Sequence, residues 1–180
     1  MRPKLFHKTL LFTSVLFATG VTIGSAAAQN LSKLTAVQVE RALSDAGFSP
    51  KIIKKNTKGK LVLGGTITQS KGSKIKFWVR TRGCKGKPTA CENFIFFANF
   101  NLGRDVKSSD FHTMNSFNDT QVYGRAYVLK KSKQIGVDLM LDLSGGVSRK
   151  HLSQRIQRWP KVVKKFMDRV RAGNKKQKKL

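Results

Sequence analysis

The chain has 180 residues, 36 of them Lys or Arg against 9 Asp or Glu, for a formal charge of +27 at pH 7. That length suits one domain with a proper core, and beyond the first 28 residues no run is apolar enough to cross a bilayer. The charge lies far outside the usual range for a small domain; it opposes compaction by self-repulsion and draws polyanions such as anionic lipid, lipopolysaccharide, nucleic acid or acidic protein.

The chain begins with the pattern of a secretory signal peptide. Arg2, Lys4 and Lys8 precede an apolar stretch from Leu10 to Ile23, and Ala26-Ala27-Ala28 fits a small-x-small cleavage site. A membrane anchor fits less well, because the apolar run is short and ends in the cleavage site. The expected division is a signal peptide over 1–28, an α+β domain over 29–172 and a basic disordered tail over 173–180. Cleavage lowers the charge from +27 to +24 by removing Arg2, Lys4 and Lys8. The remaining protein is expected to be periplasmic or secreted.

Leu34 to Gly47 reads as a helix, with Thr35 and Gln38 as a capping box, Leu34 stapled onto Val39, and Gly47 at the left-handed C-terminal position. Short strands follow at Lys51–Lys55 and Leu61–Gln69. Lys74–Arg82 alternates cleanly, with Ile75, Phe77, Val79 and Thr81 opposite Lys74, Lys76, Trp78, Arg80 and Arg82. Asn93–Phe100 is apolar on both sides, which suits a central strand covered on both faces. Ser108 to about Asn118 reads as a helix capped by Ser108 or Ser109, with Phe111, Met114 and Phe117 as its apolar face. Tyr123–Lys130 and Gln134–Leu143 read as further strands, and Gly145-Gly146 breaks the chain. A last helix from Ser148 carries the seam Leu152, Ile156, Trp159, Val163, Phe166 and Val170, expected to cover the sheet. Pro160 is expected to kink or split it, and Gly173-Asn174 to end it.

Cys84 and Cys91 are the only cysteines. In an exported chain such a pair is most simply a disulfide, here stapling a hairpin between adjacent strands. No C-x-x-C spacing suggests redox chemistry, and neither His112 nor His151 lies beside the cysteines in sequence as a metal partner.

Candidate contact residues for an anionic group or partner are Lys74, Lys76, Trp78, Arg80 and Arg82, because basic side chains around an aromatic suit phosphate or acidic ligands beside a stacked ring. The same pattern fits Trp78 packing under the final helix while the basic side chains snorkel around it. That packing is the expected arrangement, with Ile95 and Phe97 as neighbours. Lys175, Lys176, Lys178 and Lys179 in the tail would add attraction to an anionic surface. No Gly-x-Ser-x-Gly elbow, His-Glu-x-x-His helix or phosphate-cradling glycine loop occurs. Asp138 and Asp142 lie four apart on one strand face, roughly 13 Å, too far for a catalytic pair.

Four segments in this order carry a resemblance: Cys91-Glu92-Asn93-Phe94-Ile95-Phe96, Met114-Asn115-Ser116-Phe117-Asn118, Gly124-Arg125-Ala126-Tyr127-Val128, and Met140-Leu141-Asp142-Leu143-Ser144-Gly145-Gly146-Val147-Ser148. With the opening Leu34-Thr35 helix and Ala46-Gly47-Phe48, the stretch over residues 34–170 resembles the YbjN family of bacterial sensory transduction regulators. The elements read along the chain give an α+β domain in the order α-β-β-β-β-α-β-β-α, and the resemblance implies a fold similar to type III secretion chaperones: a twisted antiparallel sheet with helices packed on it. It implies no catalytic residues; no cofactor is expected. It also implies a sheet and helix surface that holds an extended partner, often within a homodimer. Many relatives are acidic, so partner type does not carry over to this basic chain. The expected function is an exported, non-enzymatic binding or chaperone-like regulatory protein that engages an acidic or extended polypeptide. The alternative is a binder of polyanions or of the envelope surface: anionic lipid, lipopolysaccharide or nucleic acid.

Overall fold

The computed structural model describes residues 30–55, 61–68 and 72–177. The expected signal segment and the last three residues lie outside them.

A two-residue strand, β1 (Leu34–Thr35), precedes helix α1 (Ala36–Asp45). Thr35 caps α1: its Oγ1 accepts from the Gln38 backbone N–H at 3.4 Å, and Gln38 Oε1 accepts from the Thr35 N–H at 2.8 Å. The reciprocal pair satisfies two N–H groups that the first helical turn leaves orphaned. At the other end the Gly47 N–H reaches the Ser44 carbonyl and the Phe48 N–H reaches Leu43. Gly47 has φ of 86°, a conformation costly for any residue with a Cβ. Phe48 and Leu43 are both buried, which completes a Schellman stop.

Six further strands follow the alternation read in the sequence: β2 (Lys51–Lys55), β3 (Leu61–Thr68), β4 (Lys74–Lys85), β5 (Ala90–Asn101), β6 (Arg125–Leu129) and β7 (Gln134–Asp142). They form an open antiparallel sheet in the order β2-β3-β4-β5-β7-β6, with β1 paired to the start of β5. Cys84 and Cys91 are disulfide-bonded across the β4–β5 hairpin, directly opposite in register. Helix α2 (Ser108–Thr120) and helix α3 (Arg149–Gln177) complete the α+β fold. Apart from β1, the element order is the expected one.

All three helices bury their apolar stripes in one core on one face of the sheet. The sheet contributes Phe77, Val79, Phe94, Phe96, Val137 and Leu141, and the helices contribute Leu43, Phe117, Ile156, Trp159 and Phe166 among others. Trp159 is fully buried, with its ring 6.0 Å from both Phe77 and Phe96. A wholly buried aromatic of this size dominates the local energetics.

Four expectations need correction. First, α3 is continuous through Pro160 rather than split there. Pro removes one hydrogen bond at a cost of about 3 kcal/mol, but Ile156, Trp159, Val162, Val163 and Phe166 anchor the helix in the core on both sides. Second, α3 runs past Gly173-Asn174 to Gln177. Gly173 packs closely against Thr113 of α2, so it marks a helix contact and not a helix end. Third, α2 is capped from Lys107, not Ser108 or Ser109. Its inward positions are Asp110, Met114 and Phe117, while Phe111 is 46% exposed. Asp110 is 5% exposed because it accepts two hydrogen bonds from Arg104, both at 2.8 Å, and one from the Lys107 N–H. These contacts hold its carboxyl below the usual carboxylate range, the Arg104 hydrogen bonds foremost. Fourth, β5 is covered on one face only, the one that carries Phe94, Phe96 and Ala98.

Candidate functional site

Side chains alternate across a strand, so each core-facing residue has neighbours pointing the other way. On β4 these are Lys74, Lys76, Trp78, Arg80 and Arg82; on β5 they are Asn93, Ile95, Phe97 and Asn99. No described helix lies over this face, because α1, α2 and α3 all pack on the opposite one. Trp78 therefore does not pack under the final helix; Trp159 fills that role from the other side of the sheet. Ile95 and Phe97 are half-buried rather than enclosed. A strand apolar on both sides looks the same from sequence whether or not a second layer covers it.

The strand register builds rows across the open face. Trp78 is opposite Phe97, Phe97 opposite Asp138, and Asp138 opposite Arg125. The Trp78 and Phe97 rings stack at 5.7 Å with 26° between their planes. The Arg80 guanidinium lies 5.0 Å from the Phe97 ring centre, a cation–π contact. At the end of the row Arg125 donates to Asp138 at 2.6 Å. That bond pushes the Arg125 guanidinium further above its usual range, so it stays charged. In a neighbouring row Arg80 is opposite Ile95, and Ile95 opposite Met140.

Tyr127 of β6 reaches across β7 to donate to Asn99 Oδ1 at 2.6 Å. It passes over Gly136, where any Cβ would meet the ring and the Asn99 oxygen at 2.5–2.6 Å. Burial, helped by the Asp138 charge, pushes the Tyr127 hydroxyl up to about 12, so it remains a donor at physiological pH. A groove of about 430 Å³ lies here, lined among others by Arg80, Arg82, Phe97, Arg125 and Tyr127. It meets a second groove of about 390 Å³ at Ile95, Arg125 and Asp138.

The fold thus brings Lys74, Lys76, Trp78, Arg80 and Arg82 onto one face, as their alternation requires. Among the described residues none of these four cations forms an ion pair. Lys175 and Lys176 belong to the last turn of α3, away from this cluster in sequence, and Lys178 and Lys179 lie outside the described residues. Phe97 is the neighbour of Trp78 that the sequence suggests, whereas sequence reasoning missed Asn99, Arg125 and Tyr127 as members of the site. The alternation in β5 and β6 places them on the face, but only the register brings them together. It also missed a second cationic cluster, in which Arg155 and Arg158 of α3 lie 5.4 Å and 4.1 Å from the Tyr123 ring centre.

The sequence profile of the YbjN family, whose description is "Putative bacterial sensory transduction regulator", matches residues 35–172. The chain belongs to the YbjN family. That match spans α1 to the last turns of α3, so the open sheet face lies within the YbjN domain. The description names a regulator and not an enzyme, and it fits a regulatory or chaperone-like protein-binding role. No curated protein and no solved structure matches the chain.

Proposed function

We propose that this YbjN-family protein is an exported, non-enzymatic binding protein of chaperone-like or regulatory kind, which holds an acidic, extended polypeptide on the open face of its sheet. The observation that carries this reading is the helix-free face itself. Trp78, Phe97 and Ile95 form a half-exposed apolar patch across two neighbouring rows there, bordered by Lys74, Lys76, Arg80 and Arg82. Aromatic and aliphatic side chains supply contact area that tolerates many sequences, while the cations speed encounter and select acidic chains. The export pattern at the N-terminus and the Cys84–Cys91 bond suit an oxidising compartment.

A second reading, attraction to lipid, lipopolysaccharide or nucleic acid through charge alone, has its own support. Arg125 of the open face shares the groove at the β7 edge with Arg155 of α3, and exposed or half-exposed basic residues follow along α3 at Arg158, Lys161, Lys165 and Arg169.

Binding of a synthetic peptide of alternating Glu and Val, of anionic vesicles and of duplex DNA separates the two. Each is titrated at about 0.05 M and about 0.5 M salt, where the screening length shrinks from about 14 to 4 Å. Peptide binding that persists at high salt and falls at least about tenfold in Trp78→Ala supports the first reading. Binding of all three ligands that collapses with salt and ignores Trp78 overturns it in favour of charge alone. Export is tested separately by cell fractionation and by mass spectrometry of the mature N-terminus, expected at Gln29.

A further inference from the structure

The outermost strand, β6, covers only part of β7. Their pairing runs from Leu129 opposite Gln134 to Arg125 opposite Asp138 and stops there. Beyond it, residues 139–142 of β7 pair with β5 on one side only. The direction of the backbone groups follows from the ladder. The Leu143 N–H donates to the Glu92 carbonyl of the β5 strand, so the odd-numbered residues of β7 face β5 and the even-numbered ones face outward. Met140 and Asp142 thus turn their N–H and C=O groups to an open edge, and no hydrogen bond to them is formed among the described residues. An unpaired edge is a template for another strand, and folded proteins commonly block it. This one blocks β6: the Asn118 side chain accepts from the Ala126 N–H at 2.7 Å and donates to the Ala126 carbonyl at 3.1 Å. Nothing among the described residues does the same for Met140.

The surroundings of that edge are unusual for a surface left to solvent. Met140 is 55% exposed, Tyr123 41% and Val122 91%. They line the 390 Å³ groove together with Ile95 and Arg155. Arg155 and Arg158 flank the Tyr123 ring and have no carboxylate partner among the described residues.

We propose that the outer edge of β7 at residues 140–142 is a strand-addition site, where an extended polypeptide alternating acidic and apolar residues continues the line of β6. This rests on the function proposed above and names how that partner is held. Its backbone pairs with Met140 and Asp142. Its side chains alternate between Met140 and Ile95 on one side and Tyr123, Arg155 and Arg158 on the other. Apolar residues match the first set and acidic residues the second. A second copy of this chain is the wrong occupant, because two molecules each carrying +27 before cleavage repel one another.

The test uses the alternating Glu and Val peptide and two versions of it, one N-methylated at every Glu and one at every Val. An added strand bonds to its neighbour through alternate residues only. One version is therefore expected to bind at least about tenfold more weakly than the parent, while the other holds. Hydrogen exchange followed by NMR is expected to show the Met140 and Asp142 amides, fast in the free protein, slowed at least about tenfold by the parent peptide. Equal binding of both methylated versions overturns the strand-addition site, as does unchanged exchange at Met140. Either result leaves the open-face reading intact if Trp78→Ala still weakens the parent peptide. Failure of the parent to bind at low salt removes both.

Discussion

Replacing Phe77 and Trp78 by Ala, one at a time, tests which face of the sheet is covered. The two residues are adjacent on β4 and point in opposite directions. Phe77 is fully buried, 5.1 Å from the Phe48 ring and 6.0 Å from Trp159. Its truncation leaves a closed cavity, and Phe→Ala in such a place costs about 3–5 kcal/mol. Trp78 is larger but has one aromatic neighbour, Phe97, in a stack that contributes about 0.5–1.5 kcal/mol. The space it vacates opens to water, so no cavity term is added, and its loss costs about 1–2 kcal/mol. For a domain of this size each kcal/mol moves Tm by about 2–4 °C. Phe77→Ala is therefore expected to lower Tm by about 6–20 °C and Trp78→Ala by about 2–8 °C. Thermal unfolding with the disulfide intact, followed by far-ultraviolet circular dichroism, gives both values. Acrylamide quenching adds an independent readout, since Trp78 is accessible and Trp159 is not. If Trp78→Ala destabilises as much as Phe77→Ala, the face is covered in solution and the binding site placed on it is wrong.

Asp110→Asn removes the charge that holds Arg104 and the Lys107 N–H at the start of α2, and is expected to cost about 2–4 kcal/mol near pH 7 in denaturant unfolding. The folded-state pKa of Asp110 lies below its unfolded value of about 3.9, so its contribution is full above that pH and fades as pH falls through the folded value. The gap between wild type and variant should narrow below about pH 4; a gap independent of pH would refute the ionised pair. Asn118→Ala removes both hydrogen bonds to the Ala126 backbone and is expected to cost about 1–3 kcal/mol in denaturant unfolding, and an unchanged midpoint would show that the side chain does not hold the β6 edge. Changing Cys84 and Cys91 to Ser together is expected to cost about 2–3 kcal/mol, the loop-closure value for so short a ring. No change in the denaturation midpoint would mean that the β4–β5 turn holds the hairpin alone.

Much of this architecture is legible in the residues themselves. Thr35 with Gln38, and Gly47 with Phe48, mark both ends of α1, because caps and left-handed stops depend on groups a few residues apart. The two-residue period of β4 and β7 fixes which side chains share a face, and the compact Cys84–Cys91 spacing fits a hairpin. The start of α2 is less legible, because Asp110 turns inward only when Arg104 folds back onto it. What periodicity does not contain is which face the helices choose. The pattern of β4 is equally consistent with Trp78 or with Phe77 under α3, and β5 is apolar on both sides. That choice belongs to the chain as a whole, through connections that place α1, α2 and α3 together on the Phe77 side, where Trp159 fills the core. Register is the other decision made only in three dimensions. Tyr127 meets Asn99 from 28 residues away and Arg125 meets Asp138 from 13. The free edge at Met140 exists because β6 ends where its partner continues. Local chemistry determined the elements and their two-sidedness, and long-range packing decided which side became the core and which was left open.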